Sequence, residues 1–87
     1  MPVIWIPALL RDLTGGQEQV AVPATTVRQA IDELETLHPG LKTRLIDDGQ
    51  LRLDFSVVVD GTVSHLRLRQ PLSEDSEIHL LPAISGG

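Results

Sequence analysis

The sequence predicts a two-layer α+β domain, a mixed sheet of four to five strands with one main helix on one face. Three observations carry this. Only one long stretch, Val27 to Leu37, repeats its apolar residues at helical spacing. Short runs rich in β-branched residues precede it twice and follow it three times. A single amphipathic helix covers one face of a small sheet and leaves the other open, so the element order selects a two-layer packing.

The first run, Val3-Ile4-Trp5-Ile6-Pro7, is apolar on both alternating faces and reads as a central strand. Thr14-Gly15-Gly16-Gln17 is a turn, and Gln19 to Val22 returns as the hairpin partner. No Gly-Lys-Ser/Thr follows the glycines, which removes a phosphate loop. Thr26 is the predicted N-cap, with Gln29 three residues on to complete a capping box. Val27, Ala30, Ile31, Leu34 and Leu37 form the apolar stripe, and His38-Pro39-Gly40 ends the helix. Leu41 to Ile46 has room for one more helical turn, and Asp47-Asp48-Gly49-Gln50 is a sharp break.

From Leu51 to Val59 the alternation is strict, with Leu51, Leu53, Phe55, Val57 and Val59 on one face, and predicts the clearest strand of the chain. Asp60-Gly61 is a tight-turn pair leading into a strand from Thr62 to about Leu66. Leu66 to Arg69 reads as an ordinary strand face. Pro71 to Ser76 is loop, and Glu77 to Ala83 is the last strand. The predicted organisation is a domain over 1–82 and a flexible tail over 83–87.

Composition narrows the function. Eighty-seven residues with 41% apolar content support one modest core and leave little room for an internal enzyme pocket. There is no cysteine for a disulfide, a thiolate metal site or a Cys nucleophile. His38, His65 and His79 lack paired ligand spacing, so no metal site is expected. The Asp47-Asp48 pair lacks the further ligands of a calcium loop, and the Asp32, Glu33 and Glu35 group reads as a solvated helix face. A net charge of −5 and only two aromatics, Trp5 and Phe55, argue against nucleic acid. No leader or membrane-length apolar stretch is visible, so the expectation is a cytoplasmic protein that does not bind membranes.

The sequence closes on Gly86-Gly87, and this tail is the expected working part. Glycines thread a channel too narrow for a Cβ, and Ala83 to Gly87 extended would reach roughly 15 Å beyond the domain. Pro82 has no amide donor and is expected to weaken pairing there and help release the tail. Ile4, Ile6, Val58 and Leu81 are the candidate apolar docking positions on the face opposite the helix, with Pro82, Ala83, Ile84 and Ser85 leading to the end.

The element order matches the ubiquitin-like β-grasp fold, with first and last strands parallel at the centre. Over essentially its whole length the chain resembles the MoaD/ThiS family of ubiquitin-like sulfur carriers. The matching residues are Ile6-Pro7-Ala8-Leu9-Leu10-Arg11 with Thr14-Gly15-Gly16, then Thr26-Val27, Pro39-Gly40-Leu41, Val59-Asp60-Gly61, Pro71-Leu72, and the tail Leu81 to Gly87. Glu74-Asp75-Ser76-Glu77 departs from the Asp-Gly-Asp-type turn frequent in the family.

The resemblance implies that the chain is not itself an enzyme. An adenylating enzyme similar to the ubiquitin-activating class would use ATP and magnesium to activate the carboxylate of Gly87, and a sulfide or persulfide would displace AMP to give a thiocarboxylate. Gly86 would complete the narrow end. A sulfur-acceptor enzyme, cysteine-synthase-like or another synthase, would take the sulfur, with a metalloprotease as a candidate for releasing an adduct. The carrier itself would hold no cofactor. The Thr14-Gly15-Gly16 and Pro82-Ala83-Ile84 stretches lean toward cysteine-type biosynthesis. The alternatives are a molybdopterin synthase small subunit, a protein modifier conjugated through Gly87, and a structural interaction module for which the tail is dispensable. Lys42 is the only lysine, so a modifier could build chains on itself only there or at the amino terminus.

Overall fold

The computed structural model describes residues 1–82. Its main sheet has five strands, β1 (Val3–Trp5), β2 (Gln19–Ala21), β5 (Phe55–Val59), β6 (Thr62–Val63) and β7 (Glu77–Pro82), in the spatial order β2-β1-β7-β5-β6. A separate two-stranded hairpin is formed by β3 (Ile46–Asp47) and β4 (Gln50–Leu51). The helices α1 (Val27–Leu37) and α2 (Leu41–Leu45) complete the regular elements with two short 3₁₀ segments, Ala8–Thr14 and Arg67–Arg69. β1 and β7 pair in parallel at the centre, flanked by the antiparallel pairs β1–β2 and β5–β7. This is the expected β-grasp arrangement.

α1 forms where its stripe and cap predict. Thr26 Oγ1 accepts from Gln29 N at 3.2 Å. Gln29 Oε1 closes the start of the helix one residue earlier than a capping box would, accepting from Thr25 N at 2.8 Å and Thr25 Oγ1 at 2.7 Å. Val27, Ala30, Ile31 and Leu34 are buried against Ile4, Val20, Val57, Ile78 and Leu80 of the sheet, whereas Leu37 is exposed. Glu35 is not a free surface charge. Its carboxylate accepts from Gly40 N and Lys42 N at 2.9–3.2 Å and satisfies the orphan donors at the start of α2.

Two predicted strands are shorter than their patterns. The run from Leu51 to Val59 is broken, because the Asp48-Gly49 turn, with φ of 55° and 76°, pairs Gln50–Leu51 with Ile46–Asp47 and draws them off the main sheet. The chain then turns through Arg52 to Asp54, with Phe55 N donating to Arg52 O at 3.1 Å, and Leu53 is left 91% exposed. After β6 the strand stops because the Ser64 hydroxyl accepts from Leu66 N and Arg67 N at 3.1 and 3.2 Å, a local alternative to the ladder. The Arg67–Arg69 segment is therefore a 3₁₀ turn that buries Leu68, not a strand face. The turn between β1 and β2 likewise contains the 3₁₀ helix Ala8–Thr14, closed by Gly15 in the left-handed region and by the buried Thr14 hydroxyl between Arg11 O and Gln17 O.

Candidate functional site

Pro82 is the last described residue, and it stands opposite Phe55 at the end of β7. β1 pairs with β7 only as far as His79, so Leu80 to Pro82 run on beyond their parallel neighbour. A groove of about 240 Å³ fills that place, lined by Trp5, Pro7, Ala8, Arg11, Leu81 and Pro82 among others. Pro82 also borders a second groove on the other side, with Leu9, Arg44, Arg52 and Asp54. Ala83, Ile84, Ser85, Gly86 and Gly87 lie outside the described residues. The described geometry thus fixes the point where the central strand delivers the chain to the rim.

Beside that rim is the sheet face that α1 does not cover. Of the four apolar docking positions expected on this face, the structure places two there. Val58 is partly exposed and Leu81 is 48% exposed, both on the open face. Ile4 and Ile6 are 1% and 2% exposed and point into the core. Because β1 is apolar on both faces, hydrophobicity alone does not set its phase. Pairing does: Ile4 is aligned with Val20 on one side and Ile78 on the other, both buried, so Trp5 is turned outward.

The residues that replace them are Trp5 and His79. Their rings stack at a centroid distance of 5.1 Å and an interplanar angle of 10°. Trp5 Nε1 donates to Glu77 Oε1 at 3.1 Å, which fixes the indole from its polar edge. Val58 is directly opposite His79, and Val63 directly opposite Val58. Trp5, His79, Val58 and Val63 therefore form a row across four strands, and Leu81 continues it toward the rim. His79, read as an isolated histidine, was identifiable as an outward position from the inward Ile78 and Leu80 on either side.

The start of β7 is anchored by Asp60 at the far end. Its carboxylate accepts from Glu77 N at 2.9 Å and from the Ser76 hydroxyl at 3.1 Å. Ser76 is buried and also accepts from Ser73 N at 2.9 Å, so a serine organises the turn in the stretch that departs from the family's Asp-Gly-Asp-type pattern. Among the described residues no three His, Cys, Asp or Glu side chains gather as metal ligands, and no helix is long and apolar enough to cross a membrane.

The sequence model of the ThiS family matches residues 4–87. The sulfur carrier protein CysO of Mycobacterium tuberculosis is 30% identical over 87 residues, covering 94% of each chain. The crystal structure of the Amycolatopsis orientalis BexX/CysO complex contains a chain that superposes with a TM-score of 0.92 at 30% identity, covering all of both chains. SAMP1 from Haloferax volcanii superposes with a TM-score of 0.81 at 29% identity, covering 99% of this chain and 98% of that one. With the parallel central pair and the match running through the diglycine, this chain belongs to the ThiS family.

Proposed function

We propose that this protein is a sulfur carrier whose reacting group is the carboxylate of Gly87, and that it is a co-substrate of other enzymes rather than an enzyme. A partner adenylating enzyme joins a carboxylate oxygen to the α-phosphorus of ATP, with magnesium, and pyrophosphate leaves. Sulfide then attacks the acyl carbon, the bond to AMP breaks, and Gly87 becomes a thiocarboxylate. The sulfur passes to an acceptor held by a second enzyme, of the cysteine-synthase type. The observation that carries the reading is the likeness to a sulfur carrier protein over 94% of the chain, with the diglycine inside the matched stretch.

The geometry supports the same reading. The open face bearing Trp5, His79, Val58 and Leu81 adjoins the rim from which five residues lead to Gly87, so one partner could hold the face and receive the tail together. That a CysO relative is found in a complex with BexX supports a surface of this kind. Incubating the protein with ATP, magnesium and the activating enzyme from the same source tests the first step. AMP-linked protein that forms with the wild type and not with a chain lacking Gly87 is expected. An active enzyme that leaves the protein unadenylated sinks the proposal.

A second reading is favoured by the likeness to SAMP1, the small archaeal modifier protein 1. In it the same activated carboxylate forms an amide with a lysine of a target. The one lysine here, Lys42, pairs with Asp32 at 2.6 Å and is the one side-chain amine through which the protein would be conjugated to itself. Conjugates of higher mass that survive reducing denaturing gels would single out this fate.

A further inference from the structure

We infer that the cleft between the start of α1, the β3–β4 hairpin and the Arg67–Arg69 turn is a binding site for a compact phosphorylated small molecule. It is separate from the β7 rim and from the open sheet face, and it concerns a second activity of the domain.

The charge distribution is the first argument. The chain is acidic overall and has only seven Lys and Arg residues. Three of them, Arg28, Arg67 and Arg69, line this one cleft of about 400 Å³ together with His65, Gln50 and Leu66. No carboxylate is among its lining residues. The ion pairs within the described residues use Arg11, Lys42 and Arg52 instead, so none of the three cleft arginines has a carboxylate within 4.0 Å there. Among the described residues, a chain with twelve acidic residues leaves these three cations without a carboxylate partner.

The placement of these arginines favours an anion as well. Arg28 is in the first turn of α1, where the helix dipole already presents positive charge and no acidic residue offsets it. Arg67 is not a loose surface side chain. Its Nη2 donates to Leu51 O at 3.1 Å and Arg52 O at 2.7 Å, so the guanidinium is fixed against the hairpin with its remaining donors unused by those bonds. A fixed guanidinium loses less freedom when it binds an anion. Repulsion among three like charges and the helix terminus is relieved by a ligand that brings several negative charges into a small volume.

That requirement selects phosphate chemistry. A diphosphate concentrates about three charges in a compact group that guanidinium forks recognise in bidentate fashion. An acidic peptide spreads single charges along several residues of about 3.3 Å each. Leu66, 46% exposed in the lining, offers apolar contact to an organic portion.

Titrating the full chain with inorganic pyrophosphate, observed by ¹⁵N–¹H correlation NMR near physiological salt, tests the assignment. ADP and a hexaglutamate peptide are titrated in parallel. Saturable shifts confined to Arg28, residues 49–51 and residues 65–69 are expected with pyrophosphate and ADP. Arg28→Gln and Arg69→Gln, both at exposed positions, should each weaken binding about tenfold with the rest of the spectrum unchanged. Arg44→Gln, an exposed cation outside the cleft, should leave it unaltered. Absence of saturation by about 10 mM, or shifts spread equally over Arg44 and Arg52, overturns the proposal. Tighter saturation by hexaglutamate than by pyrophosphate also overturns it and makes the cleft a protein-docking surface.

Discussion

Replacing Ile4 and Leu81 separately by alanine distinguishes the two faces of the sheet, and with them the surface available to a partner. Ile4 is 1% exposed and packs within the core cluster, so Ile4→Ala removes buried methyl groups and leaves a cavity. The cost for such a site is about 3 kcal/mol. For a domain of this size each 1 kcal/mol lowers Tm by roughly 4–8 °C, so a fall of about 12–24 °C is expected. Leu81 is 48% exposed, and about half of its roughly 2 kcal/mol of burial free energy is in play, so Leu81→Ala should cost only about 1 kcal/mol. Its effect should appear in docking, where loss of an apolar anchor slows adenylation by the activating enzyme about tenfold. Urea and thermal unfolding followed by far-UV circular dichroism measure the first pair of values, and initial rates of adenylate formation the second. If both variants lose the same stability, or Leu81→Ala loses more, the register of β7 against β1 and β5 is wrong and so is the assigned open face.

Substitutions at three other positions have distinct expected outcomes. Leu53→Asp should change stability by less than about 0.5 kcal/mol in denaturant unfolding, because the side chain is 91% exposed in the turn before β5. Asp60→Ala should cost about 2–3 kcal/mol, since it removes acceptors for Glu77 N and the Ser76 hydroxyl and puts alanine at φ 51°. Asp60→Asn, which tolerates that backbone, should recover part of the loss in the same assay. Gly87→Ala should leave Tm unchanged and cut adenylation severely, and equal adenylation of mutant and wild type would contradict the narrow-channel argument.

Much of the architecture is local enough to be legible from residue order. The stripe and cap of α1 define it without tertiary help, and Asp60-Gly61 states its hairpin through the left-handed conformation both residues adopt. The alternation of Glu77 to Leu81 also assigns inward and outward positions correctly. What could not be read is where an alternating pattern stops being a strand. Leu53 carries the right residue type at the right spacing, yet its backbone belongs to a turn because the Asp48-Gly49 hairpin claims Leu51 for another sheet. Arg67 and Arg69 alternate with leucines, yet Ser64 offers the chain a hydrogen-bonded turn instead.

The candidate site divides along the same line. β1 is apolar at every position, so its phase depends on Val20 and Ile78, partners distant in sequence. That non-local pairing put Ile4 in the core and brought Trp5 beside His79, a contact between residues 74 positions apart that no local motif announces. The cleft arginines show the same limit, since Arg28 approaches the Arg67–Arg69 turn only through the packing of α1. Gly86-Gly87, by contrast, is a feature of the sequence alone, and its role stands as the chemical proposal.

Intact-mass spectrometry after incubation with ATP, magnesium, sulfide and the activating enzyme tests the central claim most directly. The account predicts a gain equal to one oxygen replaced by sulfur, located at Gly87 by fragmentation and absent when Gly87 is deleted. An enzyme shown to be active under the same conditions that leaves the mass of this protein unchanged would contradict it.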